Sequence, residues 1–192
     1  EIVFSHNGKY IFVISHDGKI IWNKITISPG GRPYTNGDKN YNSPAIADLD
    51  KDGKPEIIQT SLTTLNVFNG STGELKWSKD VRAWDNHGWE GEVYQTQAIE
   101  DVDLDGFLDI VISIAIHKSA RGAVFCDCVY LVDHKGNLIW KSPMVNGFSQ
   151  IKTSPAIGDL NQDGKLEIVF GGTSKIDRES AIFILDSKIL RL

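Results

Sequence analysis

Polar and apolar positions alternate along this chain in short stretches rich in β-branched residues. A period of two predicts half-buried strands, and no window of useful length carries helical spacing. One unit reads as four short strands, at 43–47, 56–61, 64–68 and 74–79. The longest apolar run, around Ile110 to Ile116, is interrupted by Ser113. It has strand length, well short of the ~20 apolar residues a membrane-crossing helix needs.

The pattern repeats. SPAIADLDKDGKPEIIQ (43–59) returns as TQAIEDVDLDGFLDIVI (96–112) and as SPAIGDLNQDGKLEIVF (154–170). Glu1-Ile2-Val3-Phe4 matches the end of the last copy, Glu167 to Phe170. A second element keeps the same phase: DGKIIWNK (17–24), TGELKWSK (72–79) and KGNLIWKS (135–142) each read as a glycine turn followed by a strand bearing a Trp. Its fourth copy, DSKILRL (186–192), has Ser187 for the glycine and Arg191 for the Trp. Four strands in a period of about fifty residues predict the blade of a β-propeller, a unit that buries both faces only by stacking on its neighbours. The expectation is an all-β chain forming one partial propeller of four-stranded antiparallel blades over residues 1–192. About three and a half blades are expected: 1–24 without its first strand, 43–79, 95–142 and 153–192. The expected whole is a larger propeller, completed by blades from the same or another chain.

Each repeat contains D-x-[DN]-x-D-G-x-x-[DE]: Asp48 to Glu56, Asp101 to Asp109 and Asp159 to Glu167. Alternate carboxylates on a tight turn converge on one centre, which suits calcium with its six to eight oxygen ligands. Glycine at the sixth position, Gly53, Gly106 and Gly164, lets the backbone turn sharply. An EF-hand requires a bidentate Glu at position twelve, where this chain has Gln59, Ile112 and Phe170, and its flanks would be helical. A charged turn needs no metal, since Asp and Gly favour turns in any case. Three copies in phase with the fold repeat, and the mutual repulsion of clustered carboxylates, favour a cation. No nucleophile or base accompanies the loops, so the expected metal is structural.

The repeat xPAIxDLDxDGxxEIV resembles the FG-GAP/VCBS repeat, the blade unit of integrin-α-like propellers. The resemblance implies calcium, about three ions, bound between the first and second strands of a blade. The implied ligands are Asp48, Asp50, Asp52, Lys54 (carbonyl) and Glu56 in the first loop. The second loop offers Asp101, Asp103, Asp105, Phe107 (carbonyl) and Asp109, and the third Asp159, Asn161, Asp163, Lys165 (carbonyl) and Glu167. The GxxxW element also resembles the quinoprotein-type propeller repeat, although no quinone pocket is evident.

The long connections, 25–42, 80–94 and 115–124, are expected on the face opposite these loops. They carry Arg32, Tyr34, Arg82, Trp84, His87, Trp89, His117 and Arg121. Exposed aromatic and Arg side chains anchor interfaces, and Trp stacks on sugars, so this face is a candidate for a protein or glycan ligand. Trp84 and Trp89 equally suit packing between blades, and Trp22, Trp77 and Trp140 recur with the repeat as blade-packing residues.

The net charge of −5 comes without a basic block and argues against a nucleic-acid partner. Cys126 and Cys128 fall on one face of a strand, too far apart for easy disulfide geometry. The sum is an extracellular or cell-surface, calcium-stabilised binding or adhesion module with no membrane insertion in this segment. The alternative is the propeller of a calcium-dependent polysaccharide-active, lyase-like enzyme. It would rest on His87 with Asp85 or Glu90, or on His117 with Lys118 and Arg121; no such group recurs at a diagnostic spacing.

Overall fold

A computed structural model of the protein describes residues 1–6, 9–28, 32–33, 42–84, 90–92, 95–117, 125–142, 148–149, 151, 153–174 and 179–186. Among these residues the regular structure is β-strand apart from one 3-10 turn, Val81–Trp84. The first sheet is a meander of β1 (Ile2–His6), β2 (Tyr10–Ile14) and β3 (Ile20–Ile25), followed by a ribbon of β4 (Ile27–Ser28) and β5 (Arg32–Pro33). The second holds β6 (Ala45–Ala47), β7 (Glu56–Ser61), β8 (Thr64–Asn69) and β9 (Leu75–Asp80) in chain order. In the third, β10 (Glu90–Glu92) and β11 (Ala98–Glu100) share one edge of β12 (Asp109–His117), which continues to β13 (Phe125–Val132) and β14 (Leu138–Lys141). In the fourth, β15 (Phe148–Ser149) and β16 (Ala156–Gly158) share one edge of β17 (Glu167–Ser174), and β18 (Ser180–Asp186) takes the other. All described pairings are antiparallel.

Stacking follows from the period-two pattern. Ile57 of β7 points to the first sheet and packs with Ile11, Val13, Trp22 and Phe68; its neighbour Ile58 points to the third, joining Leu65, Val67, Ile110, Ile112 and Tyr130. On β12 the next alternation sends Val111 to the fourth sheet with Leu131, Trp140, Ile168 and Phe170. Every residue of β7 is therefore buried. Each such aliphatic or aromatic side chain contributes roughly 1.5–3 kcal/mol by leaving water. The outward faces of the first and fourth sheets keep apolar residues uncovered, among them Ile2, Phe4 and Ile20 at one end and Ile182 (76% exposed) and Ile184 at the other.

Two devices repeat from blade to blade. Just before the first strand of each repeat, Ser43 N–H donates to Thr96 Oγ1 and Thr96 N–H to Ser154 Oγ, both at 3.2 Å. These three residues open the three sequence repeats, so equivalent positions of successive blades are linked in a chain. Farther along each repeat, a register shift follows Val13, Val67 and Leu131, and the repeating Trp22, Trp77 and Trp140 lie opposite those three residues. Trp22 Nε1 donates to Gly70 O in the next blade (2.9 Å), and Trp77 Nε1 donates to His134 O at the matching place (3.2 Å). Each indole lies over the left-handed glycine of that neighbouring turn, Gly73 (φ 68°) or Gly136 (φ 80°). A methyl group on Gly73 would sit 2.7 Å from the Trp22 ring. Glycine is needed there for close approach as well as for its backbone angle.

Candidate metal centre

The three acidic loops join β6 to β7, β11 to β12 and β16 to β17, and share one backbone design. The first aspartate folds back on the turn: Asp48 accepts N–H groups from Asp52 and Gly53, Asp101 from Gly106 (2.9 Å), and Asp159 from Asp163 and Gly164. The ninth-position acid reaches back across the loop. Glu56 accepts from Leu49 N (2.9 Å), Asp109 from Val102 N (3.0 Å) and Glu167 from Leu160 N (2.9 Å). The fourth position is left-handed without being glycine, at Lys51 (φ 59°), Leu104 (φ 61°) and Gln162 (φ 60°). Such a conformation costs on the order of 1 kcal/mol and persists only where the surroundings impose it.

In two loops this geometry brings three carboxylates together: Asp48, Asp50 and Glu56 in the first, Asp101, Asp103 and Asp109 in the second. In each triplet the carboxylate oxygens that meet lie within 4.8 Å of one another, so either group can hold a metal ion. The fifth-position side chains are committed to the backbone through one oxygen. Asp52, Asp105 and Asp163 each accept the N–H of the seventh residue, Lys54 (2.8 Å), Phe107 (2.7 Å) and Lys165 (3.0 Å). In the third loop Asn161 Nδ2 donates to Glu167 Oε1 at 3.2 Å, so an amide stands where the other loops have a carboxylate. No three-carboxylate group forms there among the described residues.

The electrostatics of the first two loops differ. Lys76 on β9 places its ammonium 2.6 Å from Asp50 Oδ2 and 2.8 Å from Glu56 Oε1. Burial pulls the Lys76 pKa down, but the hydrogen bonds to Asp50 and Glu56 and their charge outweigh it and raise it above the usual lysine value. The Lys76 hydrogen bond in turn lowers Asp50. The second loop has no ion pair among the described residues. There burial, then the charge of Asp103, pushes Asp109 up to about 7 against the pull of the Asp103 and Val102 N–H groups. Asp101 Oδ1 is buried with no hydrogen-bond partner. Clustered carboxylates, one forced toward its neutral form and another with an orphaned oxygen, suit a hard cation.

Of the residues singled out for the opposite face, Tyr34, His87, Trp89 and Arg121 lie outside the described residues. Arg32 is placed on β5 and His117 at the end of β12. Arg82 forks onto its neighbour Asp80, with Nη2 to Oδ2 at 2.6 Å and Nε to Oδ1 at 3.0 Å. Burial raises Asp80, but the Arg82 hydrogen bonds and charge leave it lowered. Trp84 lies tilted against Tyr130, ring centroids 5.7 Å apart, and packs against the core between the second and third sheets. It is a packing residue in this fold. Cys128 is buried in that same core. Lys76 is the residue at the loops that the motif does not reveal. It lies on another strand, and only the β8–β9 pairing brings it to Glu56.

These stacked antiparallel sheets of three to five strands are blades, and the architecture is a β-propeller. Residues 101–170 match the FG-GAP-like repeat, so the chain carries at least one repeat of that family. The structure is similar to the quinohemoprotein alcohol dehydrogenase of Comamonas testosteroni (TM-score 0.56, 14% identity), covering 93% of this chain and 31% of that one. It also aligns with the V. cholerae biofilm matrix protein Bap1 (TM-score 0.45, 20% identity), covering 96% of this chain and 32% of that one. The chain thus spans about a third of the length of either structure. No curated protein sequence matches it significantly. Among the described residues no helix is long and apolar enough to cross a membrane.

Proposed function

We propose that this chain is a calcium-stabilised propeller module that binds a protein or a glycan outside the cell. The observation that carries the metal half is the convergence of three carboxylates in each of two in-phase loops, the second with an unpartnered buried oxygen. The donors are oxygens without His or Cys, which favours a hard cation over zinc or copper. Calcium tolerates the irregular, oxygen-rich shell of a flexible turn better than magnesium does. Asp48, Asp50 and Glu56 would hold one ion and Asp101, Asp103 and Asp109 another. Asp52, Asp105 and the carbonyls of Lys54 and Phe107 would complete the shells. The third loop, through Asp159, Asn161, Asp163, Lys165 and Glu167, would take a third ion. The ion supplies charge neutralisation and ties the first strand of a blade to the second. Exposed loop sites of this kind suit millimolar extracellular calcium.

The proposed ligand surface is the long connections 80–94 and 115–124, whose sequence carries Trp89 and Arg121. The uncovered apolar faces at the two ends of the stack support docking of further blades from the same or another chain. A glycan array and a pull-down, both in calcium, test the binding half. Retention of a ligand that is lost in Trp89→Ala is expected. Degradation of acidic polysaccharides that is abolished by His87→Ala would replace the binding module with a lyase-like enzyme.

A further inference from the structure

The two loops with three carboxylates differ in one respect that their motif hides. In the first, a positive charge is already in place. The Lys76 ammonium bridges Asp50 and Glu56, two of the three carboxylates an ion would use, and Glu56 is buried. In the second, the position equivalent to Lys76 is Ile139. Trp77 pairs with Val67 and Trp140 with Leu131, so the residue before each Trp occupies the same place on its outer strand. Ile139 packs into the core shared with the fourth sheet and offers no charge. Lys51 lies over the Phe107 ring at 5.6 Å and forms no ion pair with the second loop's carboxylates. In the third copy the aligned residue is Leu190, outside the described residues.

We propose that Lys76 is the built-in counter-ion of the first loop and sets the order in which the two loops take up metal. This rests on the calcium reading given above. A divalent ion entering the first loop must displace an ammonium from the two carboxylates it needs, whereas the second loop presents its carboxylates unpaired. The second loop therefore fills first, and the first loop keeps its shape without metal. The displaced side chain has somewhere to go. Lys76 lines an open cleft of about 510 Å³ between the second and third sheets, with Trp77, Phe107 and His134 on its walls. Its long aliphatic stem can lie along those rings while the ammonium reaches water.

Calcium titration by calorimetry, with thermal melts in chelator, tests this on four proteins: wild type, Lys76→Met, Asp103→Asn and the double variant. Asp103→Asn silences the second loop and leaves the first and third, of which only the first meets Lys76. Adding Lys76→Met to it should tighten calcium binding about tenfold, because the loop gains one uncompensated negative charge. In chelator, Lys76→Met should melt below wild type, and calcium should restore it. Calcium affinity of the first loop unchanged by Lys76→Met, in proteins that do bind calcium, overturns the role of Lys76 alone. Calcium uptake by none of the four proteins overturns the metal reading itself and the order of filling with it.

Discussion

Gly18, Gly73 and Gly136 occupy equivalent turns and separate backbone strain from blade packing. All three are left-handed, at φ 80°, 68° and 80°. The turns at Gly18 and Gly136 close with the same hydrogen bond, Gly18 N to Ser15 O and Gly136 N to Asp133 O, both 3.0 Å. A Cβ on Gly18 would meet nothing within 4 Å. Gly18→Ala should therefore cost only the left-handed penalty, roughly 1 kcal/mol after the gain from a stiffer unfolded chain. A Cβ on Gly136 would lie 3.0 Å from the Trp77 ring and from the Lys79 stem, adding about 1 kcal/mol. On Gly73 it would lie 2.7 and 2.8 Å from two carbons of the Trp22 ring. The indole must move, which adds about 1–3 kcal/mol and strains its bond to Gly70 O. Urea unfolding at fixed calcium, followed by Trp fluorescence, should rank the costs Gly18 below Gly136 below Gly73. Equal costs at the three sites would refute the claim that the Trp–Gly contact holds blades together.

Other outcomes follow from particular side chains. In chelator, Asp109 is raised to about 7 from 3.8, so its folded form holds a proton that the unfolded chain has lost. Its contribution is full below pH ~4 and is lost as pH rises through ~7. Melts of wild type against Asp109→Asn should diverge by an amount on the order of 2–4 kcal/mol between pH 5 and 8, wild type falling; a pH-independent difference would contradict this. Fully buried Asn66 clamps β4 to the second sheet, accepting from Ile27 N (3.2 Å) and donating to Ile27 O (3.1 Å). Asn66→Ala should cost about 2–4 kcal/mol in urea unfolding by orphaning both groups. Asn66→Asp keeps the acceptor but not the donor and should not restore wild-type stability.

The blade was legible because its signals are local and repeat. The predicted strand 56–61 coincides with β7, and the repeating Trp residues fall opposite equivalent positions of three sheets. The acidic turns were legible for the same reason. Their inner chemistry was less so. The left-handed fourth position accepts Lys51, Leu104 and Gln162 alike, so no residue type announces it. The fifth aspartate looks like a ligand in sequence, yet it also caps the N–H of the seventh residue. Lys76 is invisible to the motif because strand pairing, not sequence proximity, delivers it to Glu56. The partner of each Trp is a backbone carbonyl of the next blade, which has no side-chain signature at all.

If metal in the acidic loops ties the first strand of a blade to the second, a thermal melt of the wild-type protein in chelator and in millimolar calcium tests it most directly. A ligand bound only to the folded state at a hundred times its Kd stabilises by about 2.7 kcal/mol per site, enough to shift the midpoint by several degrees. The melt should fall sharply in chelator and return with calcium. Superimposable melts in the two conditions would contradict the account.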